Sequence, residues 1–258
     1  MVRPKKSLGQ HFLRDDNIAR KIVQSLPATP GSVVLEIGPG MGVLTRHLLA
    51  VPGIRLYCIE IDRESVSYLR EHYPELGERL IEGDFLETIP AIPPGKYSII
   101  GNFPYNISSQ IFFRVLEQRD RVEHLVGMVQ KEVAERIAAT HGSKTYGILS
   151  VLLQAFYNIE LLFKVPPGVF NPPPKVMSAV IRLTRNDREK LPCNEATFMK
   201  VVKQGFNNRR KTLRNALKNL NLPAEISALE LLNNRAEQLS VEQFLQLTLL
   251  IENSRGDH

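Results

Sequence analysis

Between residues 32 and 156 short apolar runs alternate with longer stretches of helical period, and that alternation leaves few folds open. Residues 32–38 (SVVLEIG), 55–62 (RLYCIEID), 79–84 (RLIEGD), 97–102 (YSIIGN) and 124–130 (HLVGMVQ) read as buried strands. Residues 43–50, 63–73, 107–118, 131–139 and 147–156 place their apolar side chains every three to four positions, as helices do. Such an order predicts an α/β domain whose mostly parallel sheet is covered on both faces. The pattern then changes. Residues 158–165 and 178–185 are strand-like but joined by PPGVFNPPPKVM with no helix between them, so they are expected to pair antiparallel at the sheet's edge. Polar NDREKLPCN at 186–194 reads as a linker. Residues 195–207, 210–220, 225–233 and 240–253 all have helical period. The expectation is an α/β domain over 1–185 and a small all-helical domain over 186–258.

Composition is that of an ordinary globular chain, 43% hydrophobic and 23% charged, which excludes collagen, coiled coil and disorder. No run approaches eighteen apolar residues, and the basic N-terminus lacks the apolar stretch of a secretion signal. The reading is therefore no membrane and a cytoplasmic protein. Cys58 and Cys193 are far apart and the six histidines show no paired-ligand spacing, so no disulfide framework and no metal are expected. Net charge is +6, unevenly spread. Residues 1–30 carry six Lys or Arg against two acids, and residues 185–218 carry ten against three. Residues 200–218 hold seven basic residues and no acid. That asymmetry favours a nucleic-acid partner over a merely solvated surface.

The first chemical motif is EIGPGMG at 36–42, a glycine loop between a first strand and a first helix. Gly38 and Gly40 would let a ligand approach backbone N–H groups, although a tight turn needs glycines as well. No Lys-Ser/Thr follows, so it is not a P-loop, and Val43 stands where a dinucleotide fingerprint wants glycine. Later strand ends carry Glu60, Asp84 and Asn102. In an open parallel sheet, ligands sit beyond the carboxyl ends of the strands. Glu60 could accept from a ribose diol and Asp84 from an adenine amino group, which together outline an adenosine pocket. Without a phosphate-binding glycine-lysine loop, S-adenosyl-L-methionine fits better than ATP.

Asn102-Phe103-Pro104-Tyr105 follows the fourth strand and has the form N-x-P-Y. An exocyclic amine such as adenine N6 is a poor nucleophile, because its lone pair is delocalised into the ring. The Asn102 oxygen and a nearby backbone carbonyl could accept both N6 protons, while Tyr105 offers the base a stacking surface. This is catalysis by orientation and electrostatics.

The sequence resembles the ribosomal RNA small-subunit adenine dimethyltransferase family of bacterial type over essentially the whole chain. The matching stretches are KKSLGQHFL at 5–13, LEIGPGMGVLT at 35–45, EID at 60–62, EGDFL at 82–86 and GNFPYNISSQI at 101–111. VFNPPPKVMSAV at 169–180 and FNNRRKTLRNAL at 206–217 complete the family's order. The resemblance implies a Rossmann-like, seven-stranded methyltransferase sheet with a helical C-terminal domain. It implies transfer of two methyl groups to each of two adjacent adenines near the 3′ end of small-subunit RNA, in small-subunit biogenesis. Implied cofactor contacts are His11, Leu13, Gly38, Gly40, Glu60, Asp84, Phe85 and Asn102. The family commonly has Leu or Ile where Phe103 stands, and often Asn at position 11. Phe170 resembles a residue that sandwiches the extruded adenine opposite Tyr105, a geometry base-modifying enzymes need; its other reading is a core residue where a loop folds back.

The RNA is expected to meet the basic segments: Lys5 and Lys6 in the N-terminal arm, and Lys203, Arg209, Arg210, Lys211, Arg214 and Lys218 beyond the linker. On a helix, Arg210, Lys211, Arg214 and Lys218 fall within an arc of about 100°, and Leu213, Ala216, Leu217 and Leu220 occupy a separate arc. The partner implied is small-subunit RNA or the immature subunit, approached by a monomer. Rival readings are a large-subunit enzyme of the erythromycin-resistance type, a DNA adenine methyltransferase, and a non-catalytic assembly factor. The intact glycine loop, Glu60, Asp84 and N-F-P-Y argue against the last.

Overall fold

A computed structural model describes residues 2–256. It contains nine strands: β1 (Phe12–Leu13), β2 (Val33–Ile37), β3 (Arg55–Glu60), β4 (Leu80–Glu82), β5 (Tyr97–Asn102), β6 (Val122–Gln130), β7 (Tyr157–Val165), β8 (Phe170–Asn171) and β9 (Ser178–Arg185). Seven form one sheet in the order β4-β3-β2-β5-β6-β9-β7, and β1 pairs with β8 separately. Strands β4 through β6 run parallel, whereas β9 lies antiparallel to β6. The expected mixed α/β sheet is therefore present. β9 inserts between β6 and β7, so β7 becomes the outermost strand on that side.

Helices α1 (Asp16–Gln24), α2 (Thr45–Leu49), α3 (Arg63–His72) and α4 (Ser108–Glu117) accompany the parallel strands, followed by α5 (Lys131–Ile137) and α6 (Ile148–Gln154). Aspartates start two of them. Asp15 accepts from the Ile18 N–H at 3.0 Å and Asp62 from the Glu64 N–H at 3.2 Å, satisfying donors that a helix start leaves open. Between the sheet and its helices lies an apolar core including Ile22, Val34, Leu48, Leu56, Leu69, Ile100 and Val126. Helix α1 and the β1–β8 pair were not among the elements expected. Helix α1 carries its capping Asp15 and places buried Ala19, Ile22 and Val23 at helical spacing, so the signal for it is present in RDDNIARKIVQ.

The chain divides into two compact units, residues 1–134 with 158–185, and residues 135–157 with 186–258. A single cut at 185 therefore misassigns 135–157. Helix α6 belongs with the C-terminal helices α7 (Glu195–Asn207), α8 (Leu213–Ala216), α9 (Ala224–Ser227) and α10 (Val241–Gly256). The physical reason is apolar: Tyr146 meets Phe206 edge-on at 6.0 Å between ring centres, and Phe206 stacks on Phe244 at 5.9 Å. Backbone reinforces it, since the Gly142 N–H donates to the Glu237 carbonyl at 2.6 Å.

The expected helix over 210–220 is a second correction. Helix α7 ends at Asn207, and Lys211 closes a turn through its N–H to the Asn208 carbonyl at 2.8 Å. Thr212 is extended, and the Leu213 N–H goes to Asn234 at 2.8 Å instead of to a preceding turn. Only Leu213–Ala216 is α-helical, followed by a 3-10 turn at Lys218–Leu220. The apolar half of the expectation holds, because Leu213, Ala216, Leu217 and Leu220 are all buried.

Candidate active site and basic surface

Because β4, β3, β2 and β5 are neighbours in that order and run parallel, their carboxyl ends bring Asp84, Glu60, Gly38 and Asn102 side by side. A cleft opens there, and Gly38, Gly40, Glu60, Asp84, Phe85, Asn102, Tyr105 and His11 all line it. Eight of the residues expected from sequence thus meet at one place.

The glycine loop is shaped by its own backbone. Gly38, Gly40 and Gly42 all have φ between +57° and +79°, where side-chain-bearing residues are strained. A Cβ at Gly40 would also strike the Phe12 ring at 2.8 Å. The Gly40 N–H donates to Glu60 Oε2 at 3.0 Å, and the Asp62 N–H donates to Glu60 Oε1 at 2.9 Å. Glu60 is only 4% exposed, and burial raises its pKa against the effect of those two donors. Its carboxylate is held rigidly at the cleft, with lone pairs still open to a ligand hydroxyl. Asp84 Oδ1 likewise accepts from the Leu86 N–H at 2.8 Å.

Sequence reasoning missed the acid beneath the loop. Glu36 is buried, accepts from the Thr45 hydroxyl at 2.7 Å, and sits 3.7 Å from the Cys58 sulfur. Burial pushes its pKa up to about 7, the hydrogen bonds from Thr45 and Cys58 working the other way. A charged residue inside an otherwise apolar strand, VVLEIG, was the signal available.

Asn102 ends β5, where its partner across the ladder is Met128. Its amide Nδ2 donates to the His11 carbonyl at 2.9 Å, so Oδ1 remains the acceptor of the pair. The His11 ring stacks on Tyr105 with centroids 5.2 Å apart, and His11 Nδ1 lies 2.7 Å from the Pro172 carbonyl. The Tyr105 hydroxyl pairs with Ser178, and burial raises its pKa although Ser178 opposes this. Phe103 is 1% exposed and points beneath the site. Gly101 and Gly127 make room for its ring: a Cβ on either would come within 2.8 Å of a ring carbon.

Two expected residues lie elsewhere. Phe170 pairs with Leu13 across β8 and β1, is 4% exposed, and belongs to the same core cluster as Val34 and Ile100. Its ring packs in that cluster, as the core-residue reading of VFNPPPKV expects. The Leu13 side chain is in that cluster too, so only its main chain is placed to serve a ligand.

The basic residues separate into two groups. Lys5 is bound by Asp62 at 2.5 Å and Glu64 at 3.1 Å. Arg209 donates to the carbonyls of Lys144 and Tyr146, and Arg214 to those of Ser227 and Leu229 and to Asn233. These three side chains are engaged by partners within the protein, although those of Lys5 and Arg209 stay 37% and 41% exposed. Lys6, Lys203, Arg210, Lys211 and Lys218 are exposed. Among the described residues no group of three or more His, Cys, Asp or Glu is arranged to hold a metal, and no helix is long and apolar enough to cross a membrane.

A family model described as ribosomal RNA adenine dimethylase matches residues 1–253. The chain is 56% identical over 253 residues to ribosomal RNA small subunit methyltransferase A of Cytophaga hutchinsonii, covering 97% of this chain and 98% of that one. Among solved structures it is similar to a dimethyladenosine transferase from Plasmodium falciparum, with TM-score 0.81, 28% identity, and 95% and 98% of the two chains covered. It is also similar to the 23S rRNA methyltransferase ErmE, with TM-score 0.68, 26% identity, and 92% and 99% covered.

Proposed function

The chain belongs to the ribosomal RNA adenine dimethylase family, and from that premise we propose that it dimethylates the N6 amines of two adjacent adenines near the 3′ end of small-subunit RNA. S-adenosyl-L-methionine is the cofactor this reading requires, and the cleft suits it. Glu60 offers a fixed carboxylate for ribose hydroxyls, Asp84 an acceptor for the adenine amino group, and Ile61 and Phe85 apolar surface for the ring. When bound, that cofactor supplies an electrophilic methyl group on a sulfonium.

The orientation of Asn102 carries the proposal. With Nδ2 engaged by His11, Oδ1 is an acceptor for one N6 proton. In this reading the neighbouring Phe103 carbonyl takes the other; those of Pro104 and Tyr105 each accept one hydrogen bond already, from the Ile107 N–H and the Ser108 hydroxyl. Two acceptors draw the protons into a fixed plane and direct the nitrogen lone pair at the methyl carbon. The proton released on transfer leaves by way of solvent at the open cleft, so no strong base is needed. Tyr105 with His11 on its ring forms the aromatic wall beside that base.

The substrate in this reading is small-subunit RNA, free or in the immature subunit, met in the cytoplasm by a monomer. Incubating the protein with S-adenosyl-L-methionine and either naked small-subunit RNA or immature particles, then digesting to nucleosides for mass spectrometry, tests this. Two N6,N6-dimethyladenosines per RNA are expected. No such product, or its formation only when large-subunit RNA is supplied as the substrate in a parallel reaction, would overturn it.

The exposed cations give a separate expectation. Replacing Arg210, Lys211 and Lys218 together by Ala should weaken RNA binding and flatten the plot of log affinity against log salt. Each lost phosphate contact releases roughly one counterion fewer, so the slope should fall by about two to three units. Binding to a small-subunit RNA fragment at several salt concentrations reads this directly, and an unchanged slope would mean a merely solvated surface.

A further inference from the structure

The N-terminal arm is expected to reach RNA, yet Lys5 is paired with Asp62 and Glu64. We propose that Asp62, Lys5 and Gln10 form a latch that straps the N-terminal arm across the cofactor cleft, making Lys5 a positioning residue for the cofactor and not a phosphate contact. This rests on the reading of the cleft as the S-adenosyl-L-methionine site.

Three contacts define the strap. At one end the Asp62 side chain, 0% exposed, accepts from Lys5 Nζ at 2.5 Å and from Gln10 Nε2 at 3.2 Å. The Lys5 N–H donates to Gln10 Oε1 at 2.8 Å, closing residues 5–10 into a turn. In the middle, Gly9 lies against Asn106, where an added Cβ would fall 2.4 Å from Oδ1. At the other end the His11 carbonyl receives Asn102 Nδ2 and its ring covers Tyr105. The arm therefore runs from the end of β3 to the turn after β5, and Leu8, Gly9, Gln10, His11 and Phe12 form a wall of the cleft.

Asp62 does not need the arm in order to fold. Its role at the start of α3 is met by the Glu64 N–H and the Ser65 hydroxyl, each at 3.2 Å. Burial would raise the Asp62 pKa, but the bonds from Lys5 and Gln10 outweigh it and the net shift is downward, so the carboxylate is kept charged for the arm. The same residue's N–H fixes Glu60 Oε1. One residue thus anchors both the acid at the floor of the cleft and the strap over it. A ligand enclosed by the strap binds in proportion to the fraction of molecules with the arm closed. Weakening the latch lowers that fraction, so apparent affinity falls and release quickens.

The test uses the full-length protein, S-adenosylhomocysteine as probe, and the variants Lys5→Met, Lys5→Arg and Gln10→Ala. Loss of a charge-assisted hydrogen bond at a partly exposed site should raise the dissociation constant about three- to tenfold in Lys5→Met. The release rate should rise with it, Gln10→Ala should act in the same direction, and Lys5→Arg should restore binding. The salt slope of RNA binding should be unchanged in Lys5→Met. A phosphate contact predicts the reverse, a slope lower by about one unit with unaltered cofactor affinity, and that result overturns the latch. Wild-type protein that takes up no S-adenosylhomocysteine overturns the assignment of the cleft and the latch with it. Wild-type binding with an indistinguishable Lys5→Met overturns the latch alone.

Discussion

Asn102→Ala should lower single-turnover methyl transfer by about 10²–10³-fold, the cost of removing one oriented hydrogen-bonding group at a reacting centre. The expectation follows from what Asn102 touches. Its Oδ1 is the acceptor left over once Nδ2 is committed to the His11 carbonyl, and it sits at the strand end facing the cleft. The alanine variant also loses that bond to His11, and a loosened arm could weaken cofactor binding. Calorimetric titration with S-adenosylhomocysteine separates the two effects. A rate loss that persists at saturating cofactor belongs to the N6 acceptor, and one that vanishes there belongs to the arm. Asn102→Asp should be nearly as slow, because a carboxylate facing the His11 carbonyl is repelled where the amide was held. RNA affinity should be unaltered in both variants, since the exposed Arg210, Lys211 and Lys218 belong to the other compact unit. Retention of more than about a tenth of the wild-type rate, on the same scale, would remove Asn102 from this role.

The parts of the site that sequence made legible are those fixed by the backbone. A parallel sheet places consecutive strand ends together, so Gly38, Glu60, Asp84 and Asn102 could be assembled from strand order alone. Strands buried on both faces were clear as short apolar runs, as in β5, and helices by their one buried face, as in α7. What failed depended on side-chain partners distant in sequence. Nothing in RRKTLRNAL shows that Arg214 is taken by carbonyls at 227 and 229, or that Asn234 captures the Leu213 N–H and ends the helix. Charge counts cannot distinguish Lys5, paired across 57 positions, from Lys6, which is exposed. The segment 135–157 was misassigned for the same reason. Its partners Phe206 and Glu237 lie beyond the linker, and a composition change marks a linker without saying what packs on either side.

Phe170 poses the same problem most sharply, because a buried aromatic and a stacking aromatic look identical in VFNPPPKV. Its main chain pairs with Leu13, and its ring lies in the cluster with Ile22, Val34 and Ile100. Truncating a buried Phe removes its transfer free energy and leaves a cavity that the sheet and α1 cannot close. Phe170→Ala should therefore destabilise the catalytic unit by about 3–5 kcal/mol, measured as a lowered denaturant midpoint. Phe170→Leu keeps most of the volume and should cost less than about 1.5 kcal/mol. A base-stacking role makes opposite demands. It requires normal stability in the alanine variant, a rate loss of roughly 1–3 kcal/mol from the missing stack, and recovery by Tyr or Trp but not by Leu. Core packing requires recovery by Leu, with Tyr and Trp harmful because the cluster offers neither space nor a partner for a polar group. Denaturation midpoints and single-turnover rates on all four variants decide it. A stable but slow Phe170→Ala would return this residue to the adenine, with the β1–β8 pair opening to admit the base.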